Sequence, residues 1–151
     1  MWRRKGVPAM ACALLALVSA APSRADLKAA RAEPNLEKRS KLALENAAGA
    51  LKAARQAYNK GDNDQVTAKA AEIQESVELA QASLKQTGKN PRSHPKYFKQ
   101  AEIATRDLLR RLDAFQQEMS YLDRPLLDKV KAAIQQVHDD LLLGLMEGKR
   151  K

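Results

Sequence analysis

Two histidines, His94 and His138, are the only imidazoles in this 151-residue chain, and Cys12 is its one cysteine. Neither histidine has a cysteine or a second histidine at the short spacing that zinc and iron sites use. The Cys-x-x-Cys-His run that attaches haem covalently is missing. Carboxylates are more numerous: Glu72, Glu75 and Glu78 fall along one helical face, whereas the adjacent Asp139 and Asp140 point to different sides of a helix. Acid–base work needs a pocket that shifts a carboxyl pKa, and a row of acids on a helix reads first as a solvated face. No serine sits in a Gly-x-Ser-x-Gly turn, and no glycine-rich loop opens a helix to hold phosphate. The expectation is a protein without catalysis, resident metal or cofactor.

Cationic residues are the stronger signal. Lys89, Arg92, Lys96 and Lys99 surround Tyr97 and Phe98, and Lys149, Arg150 and Lys151 form a basic tail. Lys89, Arg92, Lys96, Lys99, Lys149 and Arg150 are the candidate residues for an anion or an anionic partner. Whether they meet depends on the elements that carry them.

The first 25 residues read as a secretory signal peptide. Trp2-Arg3-Arg4-Lys5 is a cationic start, residues 6–23 carry no charge, and the apolar centre runs from Ala9 to Val18. Small-x-small cut sites follow at Val18-Ser19-Ala20 and Ser23-Arg24-Ala25, so cleavage falls after Ala20 or Ala25. A spanning helix needs about 20 apolar residues, and Pro8 and Pro22 bound a much shorter run. A retained anchor is the alternative. Cleavage would remove Cys12 and leave a chain held together by packing alone, periplasmic or secreted. It would also remove four cations and no anions, lowering the formal net charge from +9 to +5. Such a surplus favours solubility and weak attraction to anionic surfaces, and with export it argues against nucleic-acid binding.

Beyond the signal, apolar residues recur every three or four positions and sustained strand-type alternation is absent. Residues 26–35 form a lead-in closed by Pro34. The first long helix is expected over 36–60, with Leu44, Leu51 and Tyr58 seven apart and Ala47 and Ala54 between them. Gly61 stops it, and Asp62 or Asp64 caps the next. Val66, Ala70, Ile73, Val77, Ala80 and Leu84 give the second helix a strict 4-3-4-3-4 seam. Gly88 to Pro95 is a break, with Ser93 as cap and Pro95 in the first turn. The third helix carries Ala101, Thr105, Leu108, Leu112, Phe115, Met119 and Leu122. Asp123-Arg124-Pro125 turns the corner into a fourth with Leu127, Val130, Ile134, Val137, Leu141 and Leu145.

Helices of matched length joined by short turns predict an all-α, antiparallel up-down-up-down four-helix bundle over 36–147, followed by the basic tail at 148–151. A dimeric coiled coil of two hairpins is the rival, so monomer and homodimer are both open. Formal charge alternates along the chain, at +4, −3, +1 and −2 over residues 36–60, 62–85, 95–122 and 123–147. That alternation suits sequence neighbours that pack together.

The predicted architecture, with His138 on the fourth helix, is similar to that of the four-helix haem cytochromes. They ligate haem with a methionine on the first helix and a histidine on the fourth. That resemblance implies a periplasmic haem or small-molecule carrier as the alternative function. Here the first helix has neither methionine nor histidine, and Met119 lies on the third. Ala57-Tyr58-Asn59-Lys60-Gly61-Asp62 resembles the turn of a tetratricopeptide repeat, but over six residues only and between helices too long for a 34-residue unit.

In the expected topology the start of the first helix, the 88–95 loop and the tail share one end, which collects the candidate cations. Tyr97 and Phe98 lie among them as a possible apolar wedge. The function expected is a non-enzymatic envelope adaptor or scaffold whose cationic tip meets an envelope protein or an anionic surface, with peripheral membrane contact included.

Overall fold

Aspartate and asparagine set where three helices begin. Asp26 accepts from the Lys28 amide at 3.1 Å, Asn35 from Lys38 at 2.9 Å and Asp62 from Gln65 at 2.9 Å. Each satisfies an amide that has no partner inside its own helix. In the computed structural model, which describes residues 26–147, these caps open α1 (Leu27–Ala32), α2 (Leu36–Asn59) and α3 (Asn63–Gln86). After them come α4 (Pro95–Glu118), a 3₁₀ turn (Arg124–Leu127) and α5 (Asp128–Glu147). The expected signal peptide and the basic tail, with Lys149 and Arg150, lie outside the described residues.

All elements among the described residues are helical, and the four long helices pack together. The seams expected from spacing form the core. Val66, Ile73, Leu112, Phe115, Leu127 and Ile134 are almost fully buried. On α2, Ala43, Ala47 and Ala54 are closed off completely, so the backbones of α2 and α3 approach closely and share the most extensive helix–helix contact among the described residues. One polar cluster sits in that contact: Asn46 Nδ2 donates to Ser76 Oγ at 2.9 Å and to Glu72 Oε1 at 3.1 Å. Only one register of α2 on α3 satisfies that amide.

Besides α2 on α3 and α4 on α5, the helices pack α2 against α4 and α3 against α5. The two net-basic helices therefore adjoin, and so do the two net-acidic ones. Alternation along the chain becomes a division across the bundle.

Four expectations need correction. The lead-in is more than a spacer, because it folds into α1, packs on α2 and α3, and buries Ala30 completely. Ser93 is not the cap of α4. His94 occupies that position without a side-chain bond, and Pro95 at the first helical position has no amide to satisfy. The third long helix stops at Glu118, before the expected 122, because Met119 turns to an extended conformation. Met119 stays buried, but Leu122 is 85% exposed and leaves the seam. Phe98 is buried against the core at 6% exposure, so it is not a surface wedge.

Candidate functional site

The chain between α3 and α4 is shaped by short-range bonds that leave its cations outside. Gly88 takes a φ of +66°, a left-handed conformation that a side chain would strain. Asn90 Oδ1 then accepts the Arg92 amide and Asn90 O the His94 amide, both at 2.9 Å. Pro91 leans on α5 where Gly144 leaves room, since a Cβ there would lie 3.2 Å from Pro91 Cγ. On the other side, Lys89 Nζ reaches Glu37 Oε1 at 2.5 Å. The start of α2, the loop and the end of α5 thus meet at one end of the molecule.

Tyr97 is the centre of that end. A shallow hollow of about 430 Å³ is lined by Glu37, Lys89, His94, Lys96, Tyr97 and Lys99. A second, of about 370 Å³, is lined by Asn35, Lys38, Lys41, Lys96, Tyr97 and Gln100. Tyr97 also borders a groove of about 300 Å³ between α2 and α4, floored by Leu44, Ala48, Ala101, Ala104 and Leu108. Lys96 Nζ stands 5.3 Å from the Tyr97 ring centroid, a cation–π distance.

The cations differ in what already holds them. Lys38 pairs with Glu33 at 2.8 Å, Lys41 with Glu45 at 3.8 Å and Lys85 with Asp140 at 3.6 Å. Arg39 donates to the Glu33 carbonyl at 2.8 Å. The Lys38 ammonium, helped by the Asn35 amide, holds the Glu33 carboxyl below its ordinary range. Among the described residues, Arg92, Lys96 and Lys99 have no carboxylate within ion-pair distance, and all three are exposed. Four of the six candidates, Lys89, Arg92, Lys96 and Lys99, are therefore placed on this end, and three of those four are unpaired.

The cationic surface continues where sequence reasoning did not follow it. Lys96, Lys99, Ile103, Arg106 and Arg110 recur at 3-4-3-4 spacing on the outer side of α4, and all are exposed. The fourteen residue-to-residue steps from Lys96 to Arg110 rise about 21 Å at 1.5 Å each. Arg106 and Arg110 pair within the helix, with Glu102 at 3.7 Å and Asp107 at 2.5 Å. The signal was available as the core seam's own spacing shifted around the helix.

The remaining chemical candidates have structural partners. Glu72 holds Lys69 and Asn46, Glu75 pairs with Arg31 at 2.9 Å, and Glu78 accepts from Gln74 at 2.8 Å. His138 Nδ1 lies 3.2 Å from Thr105 Oγ1 and 3.9 Å from Glu102 Oε1, packed between α4 and α5. Asp140 accepts from Gln81 at 2.8 Å and Gln136 at 3.0 Å. Those bonds, Gln81 first, hold its carboxyl below the ordinary value. Among the described residues no three His, Cys, Asp or Glu side chains converge as metal ligands would, and no helix is long and apolar enough to cross a membrane. Comparison with protein families, curated proteins and solved structures gave no match for this chain.

Proposed function

We propose that this chain is an exported, non-enzymatic helical bundle, an envelope adaptor or scaffold that docks on an anionic partner through its cationic end. The reading takes the four long helices as two antiparallel hairpins lying side by side. In support, Arg55 near the end of α2 pairs with Glu118 at the end of α4, and Lys85 late in α3 pairs with Asp140 late in α5. Export rests on the order of charge, apolar run and small residues in the first 25 positions.

One observation carries the docking surface: among the described residues Arg92, Lys96 and Lys99 are exposed and hold no carboxylate, Lys96 and Lys99 lining the hollow at Tyr97, while most neighbouring cations hold one. Each lysine or arginine near an anionic surface contributes about 1 kcal/mol, so several acting together give salt-sensitive binding. Sedimentation of the exported form with anionic and neutral vesicles tests this. Binding to the anionic vesicles, weakened by near-physiological salt, is expected. Absence of binding at low salt to vesicles and to a polyanionic resin alike contradicts the reading.

A further inference from the structure

The outer side of α4 carries a band of positive charge whose shape limits what can dock on it. At 3.6 residues per turn, Lys96, Lys99, Ile103, Arg106 and Arg110 fall within an arc of about 80°. On a helix about 10–12 Å across, that arc is about 8 Å wide against a length of about 21 Å. No acid of α4 falls inside it, since Glu102 and Asp113 lie beyond one edge and Asp107 beyond the other. The flanking acids already have partners. Glu102 lies 3.7 Å from Arg106 and 3.9 Å from His138, Asp113 holds Lys131 at 2.5 Å, and Asp107 holds Arg110 and Arg111. Glu37, which borders Lys96 and Lys99 in the terminal hollow, holds Lys89. Despite their intrahelical pairs, the Arg106 and Arg110 side chains are 65% and 80% exposed. Exposed pairs of this kind contribute little that an incoming anion would have to replace. Ile103, Arg106, Asp107 and Arg110 also border a shallow hollow of about 350 Å³.

We infer that this band is the track for one extended chain of a linear polyanion, a polymer with phosphate or carboxylate groups along its length. The chain runs from Lys96 and Lys99 at the cationic end to Arg106 and Arg110 farther along α4. The inference rests on the cationic-end reading above and names its partner. Width and length favour a single chain over other occupants. A bilayer meeting the end of the molecule reaches Lys96 and Lys99 but not Arg110, about 21 Å along the helix. Lying against α4 side-on, it would press Glu102, Asp107 and Asp113 towards like-charged headgroups. A packed acidic helix would bury four cations at seam positions with Ile103 as the single apolar contact, and desolvation of such pairs offsets their attraction. The band has no aromatic side chain on which nucleic-acid bases would stack. A single flexible chain fits between the flanking acids and leaves the cations hydrated on their free side. Each contact after the first is then intramolecular, which raises its effective concentration.

Binding of residues 26–151 to oligophosphates and oligogalacturonates of graded length tests the track, with anionic vesicles as the flat comparison. Wild-type affinity should rise steeply until an oligomer spans about 21 Å and level off beyond that. The series that binds more tightly identifies phosphate or carboxylate as the group recognised. Arg106→Gln/Arg110→Gln should weaken binding of the longest oligomers about tenfold near physiological salt. It should also lower the slope of log affinity on log salt by about 1.4, at about 0.7 for each lost contact. The shortest oligomers, the vesicles and the melting temperature should not respond. Lys60→Gln/Lys129→Gln, the same change of charge at exposed positions outside the band, should alter none of these. Wild-type binding that does not depend on oligomer length overturns the inference and leaves the cationic end standing. Long oligomers that bind the Arg106/Arg110 variant as they bind the wild type do the same. So does a variant that loses vesicle binding as much as oligomer binding, which assigns the band to a flat surface. Failure to bind oligomers and vesicles alike removes both claims.

Discussion

The two ends of the molecule differ in where their polar groups are directed. At the end formed by the α2–α3 and α4–α5 connections, side chains bind one another. Tyr58 OH donates to Asp123 Oδ2 at 3.1 Å and accepts the Ser120 amide at 2.7 Å. Asn63 and Ser120 complete the Asp123 carboxylate at 3.1 and 2.7 Å, and the Tyr58 ring meets Phe115 edge-on at 5.8 Å between centroids. At the other end the loop satisfies its own backbone, while Arg92, Lys96 and Lys99 are exposed and have no carboxylate partner among the described residues. At the Tyr58–Asp123 end the polar groups bond one another, whereas the other end keeps three cations without a carboxylate among the described residues.

This contrast fixes a ranking of stability effects. Phe98→Ala should cost most, about 3–5 kcal/mol for truncating a buried aromatic, because beneath the cations this end is ordinary core. A melting temperature that barely moves would contradict its 6% exposure. Asp123→Ala should follow at about 1–3 kcal/mol, since it strips the acceptor from Tyr58, Asn63 and Ser120 at once. Denaturant unfolding measures it, and a cost no larger than for Asp64→Ala would mean the network contributes little.

Asp140 gives a smaller, pH-dependent effect. Its folded-state pKa is depressed, first by the Gln81 hydrogen bond. Its stabilisation is therefore complete above the ordinary carboxylate value and is lost as pH falls through the lower folded value. The melting temperatures of the wild type and Asp140→Asn should differ at neutral pH and converge in acid below the usual carboxylate range. A gap that widens in acid contradicts the assignment. Lys96→Glu/Lys99→Glu should change stability least, by less than about 0.5 kcal/mol, while abolishing binding to anionic vesicles. A large loss of stability would mean that those lysines belong to the fold.

Much of the scaffold is legible from periodicity. A 3-4 spacing says which side of a helix is buried, so the seams of α3 and α5 could be read residue by residue, and Gly61 with Asp62 marks the first turn by local chemistry. Spacing does not say which helix covers a seam. The adjacency of the two basic helices and of the two acidic ones was therefore hidden in the sequence. The Tyr58–Asp123 bond joins residues 65 positions apart, and no local signal announces it. Leu122 continues the 3-4 pattern of α4, yet the chain has already left the helix at Met119, held by Tyr58 and Asp123. At the candidate site, the grouping of Lys89, Lys96 and Lys99 was expected from topology. Phe98 and Tyr97 could not be told apart as core and rim without knowing the rotation of α4.

Hydrogen–deuterium exchange of residues 26–151, with and without anionic vesicles at low salt, tests most directly whether the two ends divide holding the fold from binding a partner. The account predicts added protection over about residues 85–100, with no change over 55–64 and 119–128. Protection centred on the Tyr58–Asp123 end, or an identical pattern with and without vesicles, would contradict it.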